Sequence, residues 1–382
     1  MFTLINSVFD ISVISQSLLS ISITLLGMLF TSSLFKAAVS HKSLQHFPFV
    51  LLSSTILGFK SNVELGYVMH LSTLRVPTTF TNFKRIVIAN SCLIAVESFT
   101  VGVFSGLLGA FEIAFDKKST VQLYSVIFLS SVLTCFLSTA AFILLFIFSL
   151  ELAVYFSMDP ENFLMPLLNV INDVLVVKFL FMFAKGLQKL STADHLWILF
   201  LVTIATGVCF YFIFVSENLL PIQSIETVAF TFGLNIISGF ILEKSSAMFS
   251  MIAPAFPVFT GMSTSIALIC LHKTFTVVEN QRVSIPSSTN NSLILISFFI
   301  SITYVCIARA IYVGYSVEFS FCFIFMFIIQ VILLLKIVEY MVLFIKNQGK
   351  NISSDTVPLI SSISDFTGSL ALVLVSILLS NK

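Results

Sequence analysis

Pro166-Leu-Leu-Asn-Val-Ile-Asn-Asp173 and Pro358-Leu-Ile-Ser-Ser-Ile-Ser-Asp365 each set a proline and, seven positions later, an aspartate inside an otherwise apolar run. A carboxylate at bilayer depth costs about 2.5–3.5 kcal/mol on insertion scales, so it seldom stands there without a partner or a task. The same local frame occurring twice predicts a duplicated membrane unit. It also predicts that Asp173 and Asp365 share one task.

Composition around these stretches agrees. Hydrophobic residues make up 58% of the 382-residue chain and charged residues 10%, against about 25% charged in ordinary soluble domains. Residues 11–35, 119–150, 196–216, 245–272 and 283–308 contain no Asp, Glu, Lys or Arg. Each interval is long enough to cross a hydrocarbon core of about 30 Å as a helix. Continuous hydrophobicity, in place of alternation along strands, argues against an outer-membrane type barrel. The first interval reads as a retained helix: it has no basic n-region and no clear small-residue cleavage site before Lys36. The chain is expected to be an all-α, multi-pass integral protein of the lipid bilayer.

Apolar runs bounded by charge, Pro or polar clusters predict ten or eleven transmembrane helices. They fall near 12–38, 47–73, 86–112, 121–156, 162–187, 194–216, 224–243, 248–274, 290–315, 318–347 and 356–380. The repeat groups them into a first unit over 12–190, a linker helix over 191–220 and a second, more divergent unit over 221–382. Gly58 and Gly261 then both fall in the second helix of a five-helix unit. Equivalent helices are six crossings apart, an even number, which makes the repeats parallel about an axis along the membrane normal. Such a chain is expected to work as a monomeric pseudo-dimer.

Several functions are excluded or left without support. A formal net charge of +1 gives no basic face with which to neutralise phosphates, so nucleic acid is not an expected partner. The six cysteines lie in apolar runs without short paired spacing, which suggests neither a disulfide framework nor a thiolate metal site. With 43 Phe and 14 Gly, serine takes over much of the small-residue packing between membrane helices.

The candidate chemistry is built from oxygen. Asp173 and Asp365 are read as cation ligands. A hard ion such as Mg²⁺ takes oxygen donors and keeps several waters, so one or two carboxylates with hydroxyl or carbonyl oxygens suffice. Pro166 and Pro358 free backbone carbonyls nearby. A second group is Gly58-Phe-Lys60-Ser-Asn62-Val-Glu64, followed by His70-Leu-Ser72-Thr73. Lys60 and Glu64, spaced i, i+4, can neutralise each other on one helix face. Asn62 offers an amide oxygen, and Ser72 and Thr73 offer hydroxyls. Glu64, Ser72, Thr73, Ser265 and Glu97 are the candidates for lining a pathway. His70 has no second histidine at i+4, which gives zinc or copper no support.

The run Gly58-Phe-Lys-Ser-Asn-Val-Glu64 with Leu71-Ser-Thr73 resembles the second-helix signature of the MgtE-like domain in solute carrier family 41, roughly G-L-K-G-N-L-E followed by R-L-S-T. Asp159-Pro-Glu-Asn162, Pro166 and Asn172-Asp173 are similar to that family's D-P-D-N…P…G-D element in the fifth helix. Two such domains would cover nearly the whole chain. The resemblance implies a magnesium pathway, with Asp173 and Asp365 holding the ion and Asn62 near the pore. Mg²⁺ would then be the transported substrate, and no cofactor is implied. Ser61, His70 and Asn172 depart from the family's Gly, Arg and Gly. In the second unit Ser263, Ser265, Ala267 and Phe275 stand opposite Lys60, Asn62, Glu64 and Ser72. Ligands weighted toward the first unit are the expectation.

Two other classes compete with a transporter. A non-transporting membrane scaffold fits the polar positions lost from the second unit. An intramembrane aspartyl protease would use two aspartates as a proton-sharing dyad, but Asn172-Asp173 and Ser364-Asp365 lack the Y-D and G-x-G-D patterns of such enzymes. The chain is therefore not expected to be an enzyme.

Overall fold

The computed structural model describes residues 11–74, 80–114, 120–155, 160–216, 225–249, 251–279, 287–311, 316–347 and 352–380. Among these are eleven α-helices and no strand: α1 Ile11–Val39, α2 Phe49–Leu74, α3 Phe80–Ile113, α4 Val121–Tyr155, α5 Pro160–Leu187, α6 Thr192–Val215, α7 Ile225–Met248, α8 Ile252–Glu279, α9 Ser287–Ile311, α10 Val317–Asn347 and α11 Ile352–Ser380. Nine of them are long and apolar enough to cross a membrane. The chain is an all-α, multi-pass integral membrane protein. The helices α2 and α5 carry Lys60, Asn62, Glu64, Asn172 and Asp173.

The helices stand in the expected order, with modest shifts at their ends. The largest shift is at α3, which begins at Phe80 rather than near 86. Lys84 and Arg85 closed the apolar run in the sequence, yet long basic side chains at a helix end can lay their stems along apolar surface. The start of α6 is fixed by a capping box: Asp194 N donates to Ser191 Oγ at 3.3 Å and Ser191 N donates to Asp194 Oδ2 at 3.0 Å.

The chain forms two compact units, Leu34–Ser224 and Met1–Ser33 with Ile225–Lys382. In the first, α2, α3, α4 and α5 close a ring in chain order, with α5 returning to α2, and α6 packs on α3 and α4. In the second, α8, α9, α10 and α11 close a ring in the same order, and α7 packs on α11 and α8. The sixth helix packs within the first unit, and the early part of α1 belongs to the second.

Bilayer helices need close backbone contact because lipid gives little hydrophobic drive between them. Gly102 supplies it for α3 and α4: a Cβ there would lie 2.8 Å from Val132 Cα. Its carbonyl accepts a 2.9 Å hydrogen bond from Ser131 Oγ. At Gly368 a Cβ would lie 2.5 Å from Thr260 Cγ2, which brings α11 against α8. Buried hydroxyls mostly bond back one turn, as in Ser53 to Phe49 O at 2.7 Å and Thr134 to Ser130 O at 2.6 Å. Their polarity is thereby satisfied inside the helix.

Around these contacts the cores differ in filling. Tyr67, Val68, Ile94, Phe142, Phe146 and Leu168 form an apolar cluster in the first unit. In the second, Phe259 of α8 packs edge-on against Phe323 and Phe327 of α10 at 5.2 and 5.5 Å between ring centres.

Candidate functional site

The first unit buries a charged network where α2 meets α5. Lys60, Asn62 and Glu64 of α2 are buried along with Asn172 and Asp173 of α5. Lys60 is 0% exposed. Its ammonium donates to Glu64 Oε1 at 2.5 Å on its own helix and to Asn172 Oδ1 at 2.7 Å on α5. The same ammonium stands 5.8 Å from the centre of the Phe142 ring of α4, within range of a cation–π attraction.

Two hydroxyls extend the network. Thr139 Oγ1 of α4 donates to Glu64 Oε1 at 3.0 Å and lies 2.7 Å from Ser98 Oγ of α3. All four ring helices therefore contribute a polar group. The second carboxylate oxygen of Glu64, Oε2, is buried and has no hydrogen-bond partner among the described residues.

The matching position of the second unit is neutral. Ser263 Oγ of α8 lies 3.0 Å from Ser364 Oγ of α11. These residues stand opposite Lys60 and Asn172 in the repeat, so the polar bridge between the first and fourth ring helices occurs at the same register in both units. Asp365 follows Ser364, as Asp173 follows Asn172. The Asp365 side chain is half-buried, with Thr260 of α8 beside its carboxylate; the Thr260 hydroxyl donates to Phe256 O at 3.1 Å. Its backbone carbonyl accepts from Ser238 Oγ of α7 at 3.1 Å. Gln330 of α10 donates to Ser364 O at 3.2 Å and to Thr367 Oγ1 at 2.7 Å. Asn235 of α7 is buried, and neither of its amide heteroatoms is hydrogen-bonded among the described residues.

The sequence candidates separate accordingly. Glu64 belongs to the α2–α5 network, and Asn62 and Asp173 lie buried on the same two helices. Ser265 is buried in α8, its hydroxyl donating to Gly261 O at 2.8 Å. Glu97 is half-buried in α3, beside Ser98 in sequence. Ser72 and Thr73 lie on the last turn of α2, and their side chains fall outside the described residues, as does that of Pro166. Pro358 is buried inside α11.

Thr139, Ser98, Thr260, Ser238 and Gln330 were not singled out as site residues. Thr139 sits in a charge-free interval where a hydroxyl gives no signal by itself. Gln330 could have been found, as an amide in the apolar run between Glu318 and Lys336. Among the described residues no group of three His, Cys, Asp or Glu comes together, so any cation held here relies on few carboxylates, neutral oxygens and water.

Comparison with known protein families, with characterised proteins and with solved structures finds no match to this chain.

Proposed function

We propose that this protein carries divalent cations, Mg²⁺ foremost, across the membrane, with Asp173 and Asp365 as the charged ligands. The observation that carries the reading is the repeated arrangement of an intramembrane aspartate directly after a residue that bridges two ring helices. A packing role for one buried acid gives no reason for the same acid in the same register of a second unit. An ion pathway does give one, since each unit then presents one carboxylate with hydroxyl and amide oxygens on neighbouring helices. Hard cations take such donors while retaining water. The resemblance to the MgtE-like domains of solute carrier family 41 points the same way, with Mg²⁺ as substrate and a single chain as the working pseudo-dimer.

The test is ion flux. Purified protein in liposomes loaded with a fluorescent Mg²⁺ indicator should admit Mg²⁺ faster than protein-free liposomes. Asn62→Ala should slow entry mildly, because water can replace one neutral oxygen. Flux equal to that of empty liposomes, from protein with a monodisperse size-exclusion profile, would overturn the proposal in favour of a scaffold.

A further inference from the structure

The ammonium of Lys60 is held as a bound cation would be. Oxygens from two helices converge on Nζ, a carboxylate at 2.5 Å and an amide carbonyl at 2.7 Å, with the Phe142 ring as a further wall. Hard metal ions take the same kinds of donor, carboxylate and amide oxygens. Glu64 Oε2 adds a further donor: it is buried and has no described hydrogen-bond partner. Thr139, at 3.0 Å from Oε1, steadies the carboxylate. Lysine differs from a free ion in being tethered by a flexible four-carbon stem, which lets it withdraw.

We propose that Glu64 and Asn172 form a metal-cation site that Lys60 keeps filled with its own ammonium, so that a metal ion enters only by displacing it. With Lys60 in place the Lys60–Glu64 pair carries no net charge. With Lys60 withdrawn the site has one negative charge, two carboxylate oxygens and an amide oxygen, a partial set of hard donors that water would complete around a metal cation. The second unit has no such site, since Ser263 and Ala267 replace the cation and the carboxylate. Asn172 precedes Asp173, so an ion moving along α5 competes with Lys60 for the neighbouring oxygen. This gating role rests on the transport reading; the binding site itself does not.

The experiment therefore reads binding. Thermal unfolding of purified full-length protein is followed in choline chloride with added MgCl₂, CaCl₂ or NaCl, for wild type, Lys60→Met and Lys60→Met/Glu64→Gln. Lys60→Met should be stabilised by at least one metal ion at about tenfold lower concentration than wild type, and the double variant should lose that gain. A Lys60→Met protein recovered only when a metal salt is present during purification also supports the site. Equal responses in the single and double variants would overturn it, and so would a Lys60→Met protein that none of the three salts recovers. Absence of wild-type Mg²⁺ flux in liposomes would remove the transport reading and the gate while leaving this binding result standing.

Discussion

At one register the two units place opposite kinds of contact. The α2–α5 bridge is an ammonium held by a carboxylate and an amide, whereas the α8–α11 bridge is a pair of serine hydroxyls. Ring closure is the same in both. Both units have an aspartate directly after the bridging residue, while a charged pair at the bridge occurs in the first unit only. A serine pair lets the helices of the second unit approach without any desolvated charge. Removing only one of the Lys60–Glu64 pair would leave an uncompensated charge in a buried place.

That asymmetry can be broken at graded sites. Glu64→Ala strands the buried Lys60 ammonium and should destabilise the protein by about 3–5 kcal/mol, read from denaturant unfolding in detergent. Gly102→Val and Gly368→Val push a branched side chain against facing helices and should each cost about 1–3 kcal/mol. They probe the two rings separately, and a neutral result at either would mean that its helices can part. Ser263→Ala removes half of the neutral bridge and should cost about 1 kcal/mol. A Ser263→Ala loss as large as that of Glu64→Ala would erase the distinction between a charged and a neutral core.

Much of the fold was legible because hydrophobic runs, once longer than a bilayer is thick, have few alternatives to helix. Helix order and most ends followed from charge, proline and polar boundaries, and the α3 start failed only where Lys84 and Arg85 were taken as a stop. The Lys60–Glu64 pair followed from its i, i+4 spacing. Its link to Asn172 did not, because which helix faces α2 is decided by ring closure rather than by local pattern. Thr139 and Ser98 were hidden for the same reason. Hydroxyls in apolar helices usually bond back to their own backbone, and nothing in the sequence marks the few that reach across. The placement of α6 on α3 and α4 also depends on packing, since a strongly apolar helix looks alike whether it links or docks.

Mg²⁺ entry into liposomes carrying Asp173→Asn/Asp365→Asn protein tests the central claim most directly. Asparagine keeps the size and one oxygen of each ligand and removes both charges. The account predicts that entry falls to the rate of protein-free liposomes while the size-exclusion profile stays that of wild type, with each single variant in between. Wild-type entry in the double variant would remove the two aspartates from the pathway and contradict the account.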